Sequence, residues 1–295
     1  MSKSSIQITA ITALFVAIYF GLRNIPNSEC DFLHYEVTEV LADGTEVCSA
    51  TNHAGWIDLT KIRYPLTMEI DPGKAEGLTP GNPATIHLKF ETDGGQSIFP
   101  HDLAITHTER MHVMIIDPSL DDYHHVHPVA DGASNEFSFE FTPTEAGEYR
   151  VFAEMVPVRT KRQVVALGSI QVNGETAPAE TSPRFESQVE DLVFNLNTEE
   201  LRKGRDIPVG ISIERADGSD VELELVMGAY GHMVAFDTDR NGYKHMHPVE
   251  FPFASTDADG QLQFLVNLPN AGHYRLYAQV RIDGKDIFAP FDIEI

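Results

Sequence analysis

The sequence predicts an all-β protein: two tandem immunoglobulin-like β-sandwich domains after an N-terminal hydrophobic helix. Three observations carry that prediction. The chain repeats itself, since His107 through Pro128 aligns without gaps on Met227 through Pro248, a shift of 120 residues. Each copy breaks into short alternating runs bounded by turn residues, with no convincing helical period. A single uncharged apolar run, Ile6 to Leu22, stands at the N terminus.

Composition narrows the possible functions. With 42% hydrophobic and 22% charged residues the chain can build a core, which excludes a disordered, collagenous or multi-span membrane protein. Lys and Arg total 21 against 45 Asp and Glu, and a net charge of −24 repels phosphate backbones, so no nucleic-acid partner is expected. Two cysteines, Cys30 and Cys48, cannot form a four-cysteine zinc site, and both lie outside the repeats, away from any cysteine-ligated copper centre there.

Residues 1–25 read as a signal anchor or signal peptide. The 17-residue run Ile6–Leu22 falls between an export h-region of about 7–15 residues and a membrane span of about 17–25. No small-x-small site follows Leu22, which favours an uncleaved anchor. The acidic body is then expected in the cell envelope, outside the cytoplasm, held to the membrane by residues 6–22. An oxidising compartment permits a Cys30–Cys48 disulfide. A two-residue turn at Asp43-Gly44 would instead set Cys48 opposite Glu39, and another path of the chain could still join the sulfurs. Residues 26–64 form a Cys-containing segment without a counterpart in the second copy.

The first sandwich spans residues 65–174, with strands expected at Thr85–Phe90, Met111–Ile116, Glu136–Phe141, Tyr149–Met155 and Gly168–Val172. Residues 175–184, rich in Pro, Ala and polar side chains, read as the linker. The second sandwich, 185–295, carries runs at Ile207–Ile213, Val221–Val226, Met233–Phe236, Leu262–Val266, Tyr274–Val280 and Phe288–Ile295. Downstream of the first matched block the shift becomes 125, so the second copy holds five extra residues, placed around Ser255–Gly260.

Eight of the 13 histidines fall within the repeated segment: His107, His112, His124, His125, His127, His232, His245 and His247. A hairpin turning at Thr238–Asn241 puts His232 opposite His247, with His245 two residues away on the same face, so three imidazoles can converge. His112, His125 and His127 repeat the arrangement. Met233 and Met246 pair on the opposite face, where Val113 and Val126 replace them, and read as core. Met227 has His107 as counterpart, and both are ligand side chains, so each is a candidate fourth ligand. His124, replaced by Lys244, reads as exposed. A lone His-x-His is usually surface or hydrogen-bonded histidine; two copies with cross-strand partners favour a metal ion. Imidazoles with one thioether suit copper first and zinc next, and Met227 would make the second site the better Cu(I) binder.

His112 with His125-Val126-His127-Pro128, followed by Ala146-Gly147-x-Tyr149-Arg150, resembles exported bacterial domains often labelled heavy-metal-binding or copper-associated, with an immunoglobulin- or cupredoxin-like sandwich. The second copy matches through His232, His245, His247, Pro248, Ala271, Gly272, Tyr274 and Arg275. The resemblance covers most of residues 86–172 and 206–295. It implies extracytoplasmic metal handling and no particular reaction.

Asp237-Thr238-Asp239-Arg240-Asn241-Gly242 has the opening of a calcium loop, but Pro248 stands where the bidentate glutamate belongs, and an ordinary hairpin turn accounts for the same residues. No nucleophile elbow, phosphate loop or HExxH helix is present, so no enzyme is expected. The alternative to metal binding is a non-enzymatic structural or interaction subunit of a cell-envelope complex, with an envelope protein partner and calcium in the turn.

Overall fold

The computed structural model describes residues 7, 11–12, 14–16, 19–20, 38–40, 46–48, 55–73, 77–130, 134–249 and 261–295. The chain forms two compact units, Met1–His34 and Tyr35–Ile295. In the first, the described residues are helical, and Ile11, Leu14, Phe15, Val16, Tyr19 and Phe20 are exposed. Among the described residues no helix is long and apolar enough to cross a membrane. Cys30, and with it the expected disulfide, lies outside the described residues, as does the 255–260 insertion.

The second unit opens with a hairpin of β1 (Thr38–Val40) and β2 (Glu46–Cys48). Cys48 pairs opposite Thr38, one position from the expected Glu39, because five residues connect the strands instead of two. Next comes β3 (Ile57–Asp58). The first sandwich then runs through β4 (Leu66–Asp71), β5 (Ala84–Thr92), β6 (Met111–Ile116), β7 (Tyr123–Val126), β8 (Val129–Ala130), β9 (Glu136–Phe141), β10 (Gly147–Met155) and β11 (Val164–Val172). The second consists of β12 (Glu186–Val189), β13 (Leu192–Thr198), β14 (Ile207–Arg215), β15 (His232–Asp237), β16 (Gly242–Met246), β17 (Gln261–Val266), β18 (His273–Ile282) and β19 (Lys285–Glu294).

Antiparallel sheets ordered β4-β5-β9-β8 and β11-β10-β6-β7 enclose the first core, built around Phe90, Phe137, Phe141 and Val151. Sheets β12-β13-β14-β17 and β19-β18-β15-β16-β3 enclose the second, around Phe194, Phe264, Leu276 and Phe291. The expected tandem β-sandwich architecture is therefore what the chain adopts. Val221–Val226 is the one expected strand that does not form; it makes only isolated bridges, Glu224 with Arg281 and Val226 with Ala229, and Leu225 points to solvent. Residues 26–64 are not wholly separate, since β3 adds an edge strand to the second sandwich through Ile57 and Asp58.

Strands β6 and β15 are buried on both faces, and their sequences explain how. Alternation sends Met111, Val113 and Ile115 into the first core, and Met114 and Ile116 into a third cluster with Tyr123, Phe152, Val234, Phe236, Tyr243 and Tyr277. That third cluster joins the two sandwiches, so the two His-bearing sheets face each other. Buried Arg275 fixes the joint further: it pairs with Asp292 at 2.6 Å on its own sheet and with Asp121 at 2.6 Å on the first sandwich.

Candidate metal centre

Both histidine hairpins fold in the register their sequences predict. Val113 pairs with Val126 and Met233 with Met246, which places His112 opposite His127 and His232 opposite His247. Met233 and Met246 lie in the second core, as expected of the opposite face. The histidines therefore project into the joint between the sandwiches, and all seven outside His124 gather there. His125 and His245 have ring centroids 5.4 Å apart across the joint, and His107 and His247 4.1 Å.

Two groups of three imidazoles result. His112, His125 and His127, all from the first copy, place one ring nitrogen each within 4.8 Å of one another. The second group is His107, His232 and His247. Its composition corrects the expected set: His107 reaches across the joint to His247 while staying 5.7 Å from its own copy's His112, and His245 stands beside the triad, 5.0 Å from His247 and 5.4 Å from His232 between ring centroids. Docking is the cause, because the turn bearing His107 meets the opposite hairpin, while the Nδ1 of His245 faces the Glu154 carboxylate of the first copy at 3.9 Å.

The first triad is the more fully defined. His112 Nε2 lies 3.0 Å from the Thr106 carbonyl, which only accepts, so Nε2 carries the proton and Nδ1 presents a lone pair. His125 Nδ1 donates to Gln279 Oε1 at 2.9 Å, leaving its Nε2 unprotonated. These two lone pairs face each other at 3.3 Å, with no proton to share. Two nitrogens bound to one tetrahedral ion at about 2.0–2.1 Å stand about 3.3–3.4 Å apart, so the pair is spaced for a metal ion. In the second group both ring nitrogens of buried His232 lack a hydrogen-bond partner among the described residues.

Electrostatics keeps the ligands ready. Burial, reinforced by His245 and His127, pushes His112 down to about 3, and burial with His245 pushes His127 to about 4. Burial likewise holds His125, His232 and His247 well below the ordinary histidine range. All five are neutral at pH 7, the form that binds metals. Burial alone would raise the Glu154 carboxyl, but His245 beside it and the Tyr243 hydroxyl, donating at 2.7 Å, hold it at about 2. A fixed negative charge therefore sits next to the imidazole cluster, where it offsets an incoming cation.

Several retained residues are structural. The Tyr149 hydroxyl lies 2.6 Å from the Asp122 carboxylate and 2.9 Å from the Glu145 carbonyl, and Tyr274 donates to the Asn270 carbonyl, the tyrosine corner of a sandwich. Gly147 and Gly272 adopt φ of 127° and 135°, open only to glycine. His124, expected to be exposed, is half-buried and pairs with Asp122 at 3.0 Å. In the candidate calcium turn, Asp237 Oδ1 accepts from the Asn241 amide at 2.8 Å, and a side chain at Gly242 would collide with Ile57 of the edge strand and with Trp56 just before it. These are turn and packing roles, and among the described residues no converging group of three includes Asp237 or Asp239. Glu154, Gln279 and Thr106 are the site residues that sequence reading missed. Their signal was available: Glu154 and Gln279 are equivalent polar positions in otherwise apolar runs.

Two β-sandwiches docked through histidine-bearing sheets define the class: a tandem β-sandwich protein with imidazole groups placed to hold metal. Residues 66–170 and 187–295 match the model of a domain of unknown function, DUF8832, and the chain belongs to that family. No curated protein matches it. Solved structures with some similarity include a protein described as membrane anchored from Corynebacterium diphtheriae, 9% identical over 79% of this chain and 59% of that one, TM-score 0.23. Others are the fibronectin(III)-like modules of Clostridium thermocellum CbhA, 10% identical over 78% and 93%, TM-score 0.21, and a DUF4785 family protein from Legionella pneumophila, 9% identical over 79% and 57%, TM-score 0.24. The chain thus spans less than two thirds of the first and last of these. At such TM-scores no property passes from them to this chain.

Proposed function

We propose that this chain is an extracytoplasmic, membrane-anchored protein that binds transition-metal ions, copper first and zinc next, at two imidazole centres between its sandwiches, sequestering or delivering them without catalysis. The observation that carries the reading is the pair of lone pairs facing each other at 3.3 Å on His112 and His125, each fixed by a hydrogen bond on the far side of its ring. Facing lone pairs repel unless a cation lies between them. Neutral imidazoles suit Cu and Zn, whereas Mg²⁺ and Ca²⁺ take oxygen ligands. The apolar run Ile6–Leu22 and the resemblance to exported metal-binding domains support the location.

Metal analysis and copper and zinc titration of the full chain test the proposal, beside a variant carrying His112→Ala, His127→Ala, His232→Ala and His247→Ala. About two ions per chain, lost in the variant, are expected. Failure of the native chain to bind either metal would refute it and favour an envelope scaffold.

A further inference from the structure

We infer that Met227 reaches across the joint between the sandwiches and supplies a thioether ligand to the first centre, beside His112, His125 and His127. The inference rests on the metal-binding reading above and names the donor that distinguishes the two centres.

The two copies meet about an approximate twofold axis, and reciprocal contacts establish it. Residues are equivalent by a shift of 120 in the hairpins and 125 in the strands that follow. His125 of the first copy bonds Gln279 of the second, and His245 of the second faces Glu154 of the first, where both members of each pair are equivalents. Tyr123 stacks on Tyr277 at 4.8 Å, and Tyr243 lies 5.1 Å from Phe152. His112 lies 6.0 Å from His245, and His232 lies 6.5 Å from His125. Each contact is carried onto its mate by exchanging the copies.

The turns ahead of the two hairpins share one conformation, although the bond from His112 to the Thr106 carbonyl has no mate between His232 and Val226. Thr106 and Glu109 donate to each other's carbonyls at 2.7 and 3.0 Å, and Val226 and Ala229 do so at 2.8 and 3.1 Å. Both central residues are left-handed in each turn: His107 at 49° and Thr108 at 69°, Met227 at 51° and Gly228 at 82°. These are matching two-residue type I′ tips. The first holds this conformation with a β-branched Thr108, a strained choice of the kind found at functional sites. What that tip accomplishes is visible: His107 is carried to 4.1 Å from His247 and 6.3 Å from His232 between ring centroids. Exchanging the copies would set half-buried Met227 at the corresponding place, beside His127 and within reach of His112.

The two centres then differ in kind. The second is all imidazole and accommodates Cu(II) or zinc, while the first has a soft sulfur donor and prefers Cu(I). Read along the sequence alone, Met227 belongs to the second copy and would soften the second centre; domain docking transfers it to the first.

The test uses the full chain with Cys30→Ser and Cys48→Ser, so that methionine is the sole source of sulfur. It is saturated with Cu(I) without oxygen and measured by copper X-ray absorption and by competition with a Cu(I) chelator. A copper–sulfur shell is expected, lost in Met227→Leu, with Cu(I) affinity at one centre falling roughly 10–100-fold. Met227→His, which installs the first copy's own residue at this turn, should also remove the sulfur shell while keeping both ions bound. Bound copper with a nitrogen-only shell, or a sulfur shell that survives Met227→Leu, overturns this inference alone. A chain that binds zinc but no copper overturns this inference alone; one that binds neither metal overturns it together with the proposed function.

Discussion

Acidification of the metal-free chain from pH 7.5 to 5 should destabilise it steeply, and the histidine cluster sets the size of the effect. An unfolded histidine titrates near 6.5, whereas His112 titrates at about 3 and His127 at about 4 in the fold. At pH 5 the unfolded chain binds nearly one proton at each position that the folded chain does not. Stability therefore rises with pH across this window and is lost as pH falls from about 6.5 towards the folded values. Each such histidine contributes a loss of about 2 kcal/mol between pH 7.5 and 5. His112 and His127 together lose about 4 kcal/mol, a large share of the roughly 5–15 kcal/mol typical of a folded protein. Burial lowers His125, His232 and His247 in the same direction, so this figure is a lower bound. Ending at pH 5 leaves Asp122 and Glu154 out of the window, since their ionisation is given up only below the ordinary values of 3.8 and 4.5. Urea unfolding of the chelator-stripped chain at pH 7.5, 6.5, 5.5 and 5.0 measures the slope, with His112→Gln and His127→Gln as a flattened control. Stability that is level across the range, or that increases on acidification, would show that these imidazoles are not buried as neutral groups.

Three further outcomes are expected. Gln279→Leu removes the acceptor that orients His125, and metal affinity at the first centre should fall roughly 10–100-fold with the second unchanged, which titration of the two centres resolves. Gly147→Ala should cost about 1–3 kcal/mol, because the backbone there is open only to glycine and the new Cβ would lie 2.6 Å from Pro118; denaturant midpoints check it, and an unchanged midpoint would contradict the geometry. Asp292→Ala leaves the fully buried Arg275 without its buried carboxylate partner and should destabilise the chain by about 3–5 kcal/mol in urea unfolding, a loss that Asp292→Glu should only partly repeat.

The sequence by itself determined what alternation and turn chemistry dictate. Strand periodicity fixed the pairing of Met233 with Met246, and so the shared face of His232, His245 and His247, because a one-residue slip would have turned the histidines into the core of the second sandwich and the methionines out of it. The repeat likewise fixed two sandwiches of common design. Only the tertiary structure decided which histidines share a centre. His107 joins His232 and His247, and Glu154 and Gln279 become partners of histidines in the opposite copy, because two sheets that are apolar on both faces must cover each other to leave water. The second ligand set is thus assembled across more than 100 residues of chain, at distances no local pattern encodes. The edge strand Ile57–Asp58 was hidden for a related reason: two residues show no periodicity, and they form a strand only because β16 offers an open edge.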